Sequence, residues 1–124
     1  MAKHKRGPSR QTALERTLRM LIREGQFRGA VVASIDGLPL AMAGRSADKE
    51  LMAGVAAWLK EFAERTHTSL DEIVARDKHG NRFVSRYFKV GNNQLLLALN
   101  IPRGRAHRRL TNRAIKEIQH IWET

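Results

Sequence analysis

Ala30-Val31-Val32-Ala33-Ser34-Ile35-Asp36-Gly37-Leu38-Pro39-Leu40-Ala41 decides how this chain is read. Two short apolar runs meet at Asp36-Gly37, and an Asp-Gly link between such runs predicts a β-hairpin closed by a type I′ turn. Gly37 takes positive φ at no steric cost, and Asp36 tolerates it. The strands are expected over about 29–35 and 38–43, where an antiparallel sheet begins.

Upstream, Ser9 is placed to cap a helix over about 10–24. Leu14, Leu18, Leu21 and Ile22 share one face at helical spacing, with Arg16, Arg19 and Arg23 opposite. Gly25 is expected at the left-handed position that ends helices. Residues 1–8, charged and closed by Gly7-Pro8, read as a disordered basic tail, and 9–124 as a single domain.

Downstream, a helix is expected over about 48–66, with Ser46 or Ala47 near its cap. At ~100° per residue, Trp58, Leu51, Phe62, Val55, Leu59, Met52, Ala63 and Ala56 cover an arc of ~160°. A helix lying on one sheet needs an apolar stripe of only ~100°. The surplus calls for a second cover: the same helix of another subunit, since isologous pairing is the commonest oligomer geometry, or loops of the same chain.

Three further strands are expected at about 72–77, 82–90 and 94–100. Leu95-Leu96-Leu97-Ala98-Leu99 shows no alternation, which marks a central strand covered on both faces. Glu72-Ile73-Val74-Ala75-Arg76 is short and more polar, as an edge is. A last helix over about 105–122 buries Leu110, Ala114, Ile118, Ile121 and Trp122, with Arg105, Arg108, Arg109, Arg113, Lys116 and His120 on its far side. The fold class is therefore α/β (α+β) in three layers. Its order is α-β-β-α-β-β-β-α, with a five-stranded, mostly antiparallel sheet, one helix on one face and two on the other.

Composition narrows the function. The chain has 124 residues, a formal net charge of +11 and no cysteine, which excludes disulfides and thiolate metal sites and fits a cytoplasmic protein. No transmembrane run or signal core is present. Residues 1–30 hold eight Lys/Arg against two acids, residues 31–100 nine against eight, and residues 101–124 six against two. Basic ends around a neutral middle suggest an anionic partner, or simply a solvated Arg-rich surface. No phosphate-binding glycine loop occurs. The five His (His4, His67, His79, His107 and His120) lack metal-ligand spacing and read as surface residues. Ser34 and Ser85 lie outside any nucleophile-elbow pattern. Gly44-Arg45 places an Arg on a loop, the position of an arginine finger, though a loop Arg is usually just solvated. No active site, metal or cofactor is expected.

Residues 30–59, AVVASIDGLPLAMAGRSADKELMAGVAAWL, resemble the Roadblock/dynein light chain superfamily at Asp36, Gly37, Pro39, Leu40, Ala41, Gly44 and Asp48. The later VGNNQLLLALNIP, residues 90–102, is similar to that family's turn, Leu-rich central strand and following Pro. The resemblance implies the Roadblock (profilin-like) architecture and a non-catalytic homodimer. In the family the second helices pair across a two-fold axis and the third strands join two sheets. Here that implies an interface of Leu51, Met52, Val55, Ala56, Leu59 and Ala63 with Glu72, Ile73, Val74 and Ala75. It further implies regulation of a small Ras-like GTPase, or a scaffold in a larger complex. Prokaryotic members often pair with a gliding- or polarity-type GTPase, some as activators. Carried over, Arg45, Lys49, Met52, Ala53, Ala56 and Lys60 are the partner contacts.

The basic ends depart from the family pattern and support a second reading. Arg16, Arg19, Arg23, Arg105, Arg108, Arg109, Arg113 and Lys116 would bind a polyanion such as nucleic acid, with affinity that falls steeply with salt.

Overall fold

The computed structural model describes residues 2–45, 47–67 and 69–123, with side chains from Arg10 onward. The elements are α1 (Ala2–Gly25), β1 (Gly29–Ser34), β2 (Pro39–Gly44), α2 (Lys49–Arg65), β3 (Glu72–Arg76), β4 (Arg82–Val90), β5 (Asn93–Ile101) and α3 (Arg108–Glu123). This is the expected order. The sheet runs β2-β1-β5-β4-β3, and every pairing is antiparallel. The Leu-rich β5 is its centre and β3 an edge, as their compositions predict.

Alternation along the strands sorts the core into two halves. Ala30, Val32, Val84, Leu95, Leu97, Leu99 and Ile101 face α1 and α3, where they meet Leu14, Leu18, Leu21, Ala114 and Ile118. Val31, Ala33, Tyr87, Leu96 and Ala98 face α2, where they meet Met52, Ala53 and Ala56. The α2 side is thinner and built of smaller residues, and a polar chain ties it to the sheet. The Tyr87 hydroxyl donates to the Ala56 carbonyl at 2.7 Å and lies 2.9 Å from Ser85 Oγ. With the tyrosine proton given to Ala56, Ser85 is the donor of that second bond. Burial pushes the Tyr87 hydroxyl above its ordinary pKa, opposed by Ser85.

Local differences from expectation have identifiable causes. The hairpin turn is not type I′, because Asp36 does not take positive φ and Gly37 alone does, at 93°. Gly37 N–H bonds the Ser34 carbonyl at 2.9 Å, and Ser34 N–H bonds the Leu38 carbonyl at 3.0 Å. This is a three-residue loop, a type I turn followed by a left-handed glycine. The Ser34 hydroxyl accepts from Leu38 N–H at 3.2 Å.

At the end of α1 the left-handed residue is Gln26, with φ 56°, not Gly25. Gly25 is required for space: a Cβ there would sit 2.6 Å from the buried Phe27 ring. The helix also starts earlier than expected. Residues 2–8, expected as a tail, continue its backbone, and Ser9 lies inside it rather than capping it. Met1 lies outside the described residues, as does Ser46; α2 follows Asp48, whose side chain makes no cap bond.

Tyr87→Phe is expected to lower stability by about 1–2 kcal/mol, since it strips Ala56 and Ser85 of a buried partner. Urea unfolding checks this as a shifted midpoint with an unchanged slope.

Candidate functional site

The outer face of α2 carries four of the seven exposed large hydrophobic side chains among the described residues. Leu51 is 64% exposed, Trp58 61%, Phe62 55% and Val55 39%. Their spacing of four, three and four residues is that of a helix–helix seam. Trp58 and Phe62 stack with ring centroids 5.7 Å apart, continuing the seam by one turn. Val74 on the edge strand is 46% exposed.

The expected wide arc thus divides. At ~100° per residue, its first part (Trp58, Leu51, Phe62, Val55) points to solvent, and its second part (Met52, Ala63, Ala56) points inward. Met52, Ala56 and Ala63 are buried within the chain. They leave the expected intersubunit surface because the chain's own fold already covers them. Leu59, half-buried, marks the boundary.

The expected partner contacts divide in the same way. Met52, Ala53 and Ala56 pack on Val31, Ala33 and Tyr87 and offer nothing to a partner. Lys60 is also removed, being only 4% exposed. Its ammonium donates to the Leu70 carbonyl at 3.0 Å, lies 3.6 Å from Glu64 and sits 5.4 Å from the Tyr87 ring centroid. Sequence periodicity places a lysine among the polar positions; here its stem fills the helix–sheet space while its head reaches a loop carbonyl. Arg45 remains exposed. Lys49 is half-buried and donates to the Gly44 carbonyl at 3.1 Å.

On the opposite side, α1 and α3 do lie together, so their basic stripes adjoin. Arg16, Arg19, Arg23, Arg109 and Lys116 are exposed there. Others in the expected set are engaged: Arg113 pairs with Glu24 across the helices at 3.2 Å, Arg108 lies 3.7 Å from Glu72, and Arg105 donates to the Gln26 side chain. Part of the basic stripe therefore stitches the fold together.

His107, expected on the surface, is tucked against β4 ahead of α3. Arg82 bonds its Nδ1 at 3.0 Å, and Nε2 lies 3.9 Å from Glu72 Oε2. Neither Nε2 nor that carboxylate oxygen has a hydrogen-bond partner among the described residues. Burial, then the positive charge of Arg82, holds His107 below its ordinary pKa, outweighing the opposing pull of Glu72. The helix expected over about 105–122 begins instead at Arg108, so His107 lies on the irregular segment ahead of it, where helical periodicity is no guide to burial. Among the described residues no group of His, Asp and Glu could hold a metal, and no helix is long and apolar enough to cross a membrane.

The sequence matches no protein-family profile, and no curated protein matches it. Solved structures do. They include MglB of Myxococcus xanthus, with TM-score 0.74 and 14% identity over 90% of this chain and 89% of that one. An MglB described in a tetrameric arrangement has TM-score 0.73 and 16% identity over 92% and 90%. A Roadblock/LC7 domain from Streptomyces avermitilis has TM-score 0.62 and 17% identity over 88% and 91%. The chain has the Roadblock fold.

Because His107 is depressed in the folded state, its neutral form contributes stability that is complete above about pH 6.5 and is lost as pH falls. The melting temperature is expected to decline less below pH 6.5 in His107→Gln than in the parent. Identical profiles for the two proteins would refute the assignment.

Proposed function

We propose that the chain is a non-catalytic homodimer that binds and regulates a small Ras-like GTPase. The observation that carries this reading is the bare seam of Leu51, Val55, Trp58 and Phe62. A second α2 laid across it, related by a two-fold axis, buries all four side chains in both copies. Leu59 flanks the seam. The edge strand β3, with Glu72, Ile73, Val74 and Ala75, extends the contact through its free backbone groups. The shared fold with MglB and with a Roadblock/LC7 domain supports the reading, as does the absence of catalytic motifs from the sequence.

Arg45 and Lys49 stand beside the N-terminus of α2, at the rim of the seam, and supply positive charge to an acidic GTPase surface. Such rim charges act mainly on the rate of encounter. A dimeric scaffold without a GTPase partner would use the same seam, so hydrolysis separates the two readings. Nucleic-acid binding ranks below both, because Arg105, Arg108 and Arg113 are already engaged within the chain.

The test is nucleotide hydrolysis by the host's small Ras-like GTPases with and without the purified chain. The expected result is capture of one GTP-loaded GTPase and a changed hydrolysis rate. Arg45→Glu with Lys49→Glu should slow association about tenfold at low salt. Failure to bind any of the host's small GTPases would overturn the proposal.

A further inference from the structure

A second feature lies at one end of the sheet, away from the α2 seam. The β3–β4 turn and the β5–α3 connection enclose an open cleft of about 660 Å³. Its walls carry Arg76, Lys78, Arg82, Arg103 and Arg105. Arg76, Lys78 and Arg82 come from the nearly neutral middle of the chain and Arg103 and Arg105 from its basic C-terminal part, so it is the fold that brings them together.

We propose that this cleft binds an oligophosphate, a group of two or more linked phosphoryl units. The proposal does not depend on the GTPase reading. Its first support is that the walls are fixed in place. Arg103 N–H donates to Asn81 Oδ1 at 3.1 Å, joining the two segments. Asn81 holds the turn in its other direction, donating its backbone N–H and its side-chain amide to Asp77 at 2.9 and 3.1 Å. His79 N–H adds a third donor to that carboxylate at 2.8 Å. On the other wall, Arg82 reaches the Arg105 carbonyl and His107, so it braces the connection.

The second support is charge that finds no counterpart. Asp77 is the one acid in the lining, and three hydrogen bonds already occupy its carboxylate. The Asn81 amide is the main influence holding its pKa below the ordinary value. Among the described residues, Arg76, Lys78 and Arg103 have no ion-pair partner. Like charges fixed this closely repel one another, and a multivalent anion relieves that repulsion.

The third support is the chemistry of the lining, which selects the ligand class. No Phe, Tyr or Trp is present, so there is no platform for stacking a base. No aliphatic floor is present to take a lipid chain. What remains is the guanidinium groups of Arg76 and Arg103 and the Lys78 ammonium, contributed from both walls, and a guanidinium fork binds phosphate oxygens bidentately. A cleft of this size accommodates several phosphoryl units rather than one.

The experiment is titration calorimetry of the full chain at fixed ionic strength. The probes are inorganic triphosphate, a nucleoside triphosphate, sulfate and a short DNA duplex. Triphosphate should bind at least tenfold more tightly than sulfate, and the free and nucleoside forms should bind alike. Lys78→Glu with Arg103→Glu should weaken triphosphate binding at least tenfold. Lys78→Gln with Arg103→Gln should weaken it less, guarding against misfolding of the charge-reversed protein. Arg16→Glu with Arg19→Glu, on the far helix, should change nothing. Equal binding of sulfate and triphosphate would overturn the proposal. So would unchanged binding in both cleft variants, or affinity for the duplex alone.

Discussion

A sheet covers a helix over only part of its circumference, roughly 100°, and α2 carries apolar side chains well beyond that. One stripe, Met52, Ala53, Ala56 and Ala63, is buried within the chain. The other, Leu51, Val55, Trp58 and Phe62, lies about 130° around the helix at 100° per residue and meets solvent. No rotation of α2 about its axis hides both. The proposed pairing of two copies follows from that mismatch, because hydrophobic burial scales with the apolar area removed from water and this area is left over.

The same helix is held firmly despite the small residues beneath it. Alanines let α2 approach the sheet closely, Tyr87 bonds one of its carbonyls, and Lys60 spans from its inner face to the Leu70 carbonyl. A rigid, well-anchored helix presents its outer stripe in fixed geometry, which suits an interface better than a mobile loop does. The opposite side of the sheet is a fuller core, with two helices over the larger β5 leucines.

The architecture was legible in the chain because its signals are periodic. Unbroken Leu95–Leu99 marked the central strand, polar Glu72–Arg76 the edge, and the 3.6-residue pattern the helices. What escaped was set by contacts between segments distant in sequence. Gly25 serves the Phe27 ring rather than a left-handed cap. Lys60 is drawn inward by a loop carbonyl ten residues on, and His107 by Arg82. The wide arc of α2 was visible, but its division between the chain's own core and solvent was not, since periodicity gives angles and not neighbours. The basic cleft was hidden for a related reason: Lys78 and Arg103 stand in separate segments, and only the fold brings them together.

Analytical ultracentrifugation across a hundredfold dilution, on the parent chain and on Val55→Asp, tests the central idea most directly. The account predicts a dimer for the parent and a folded monomer for the variant, with far-ultraviolet dichroism unchanged. A parent chain that sediments as a well-folded monomer at every concentration would contradict it.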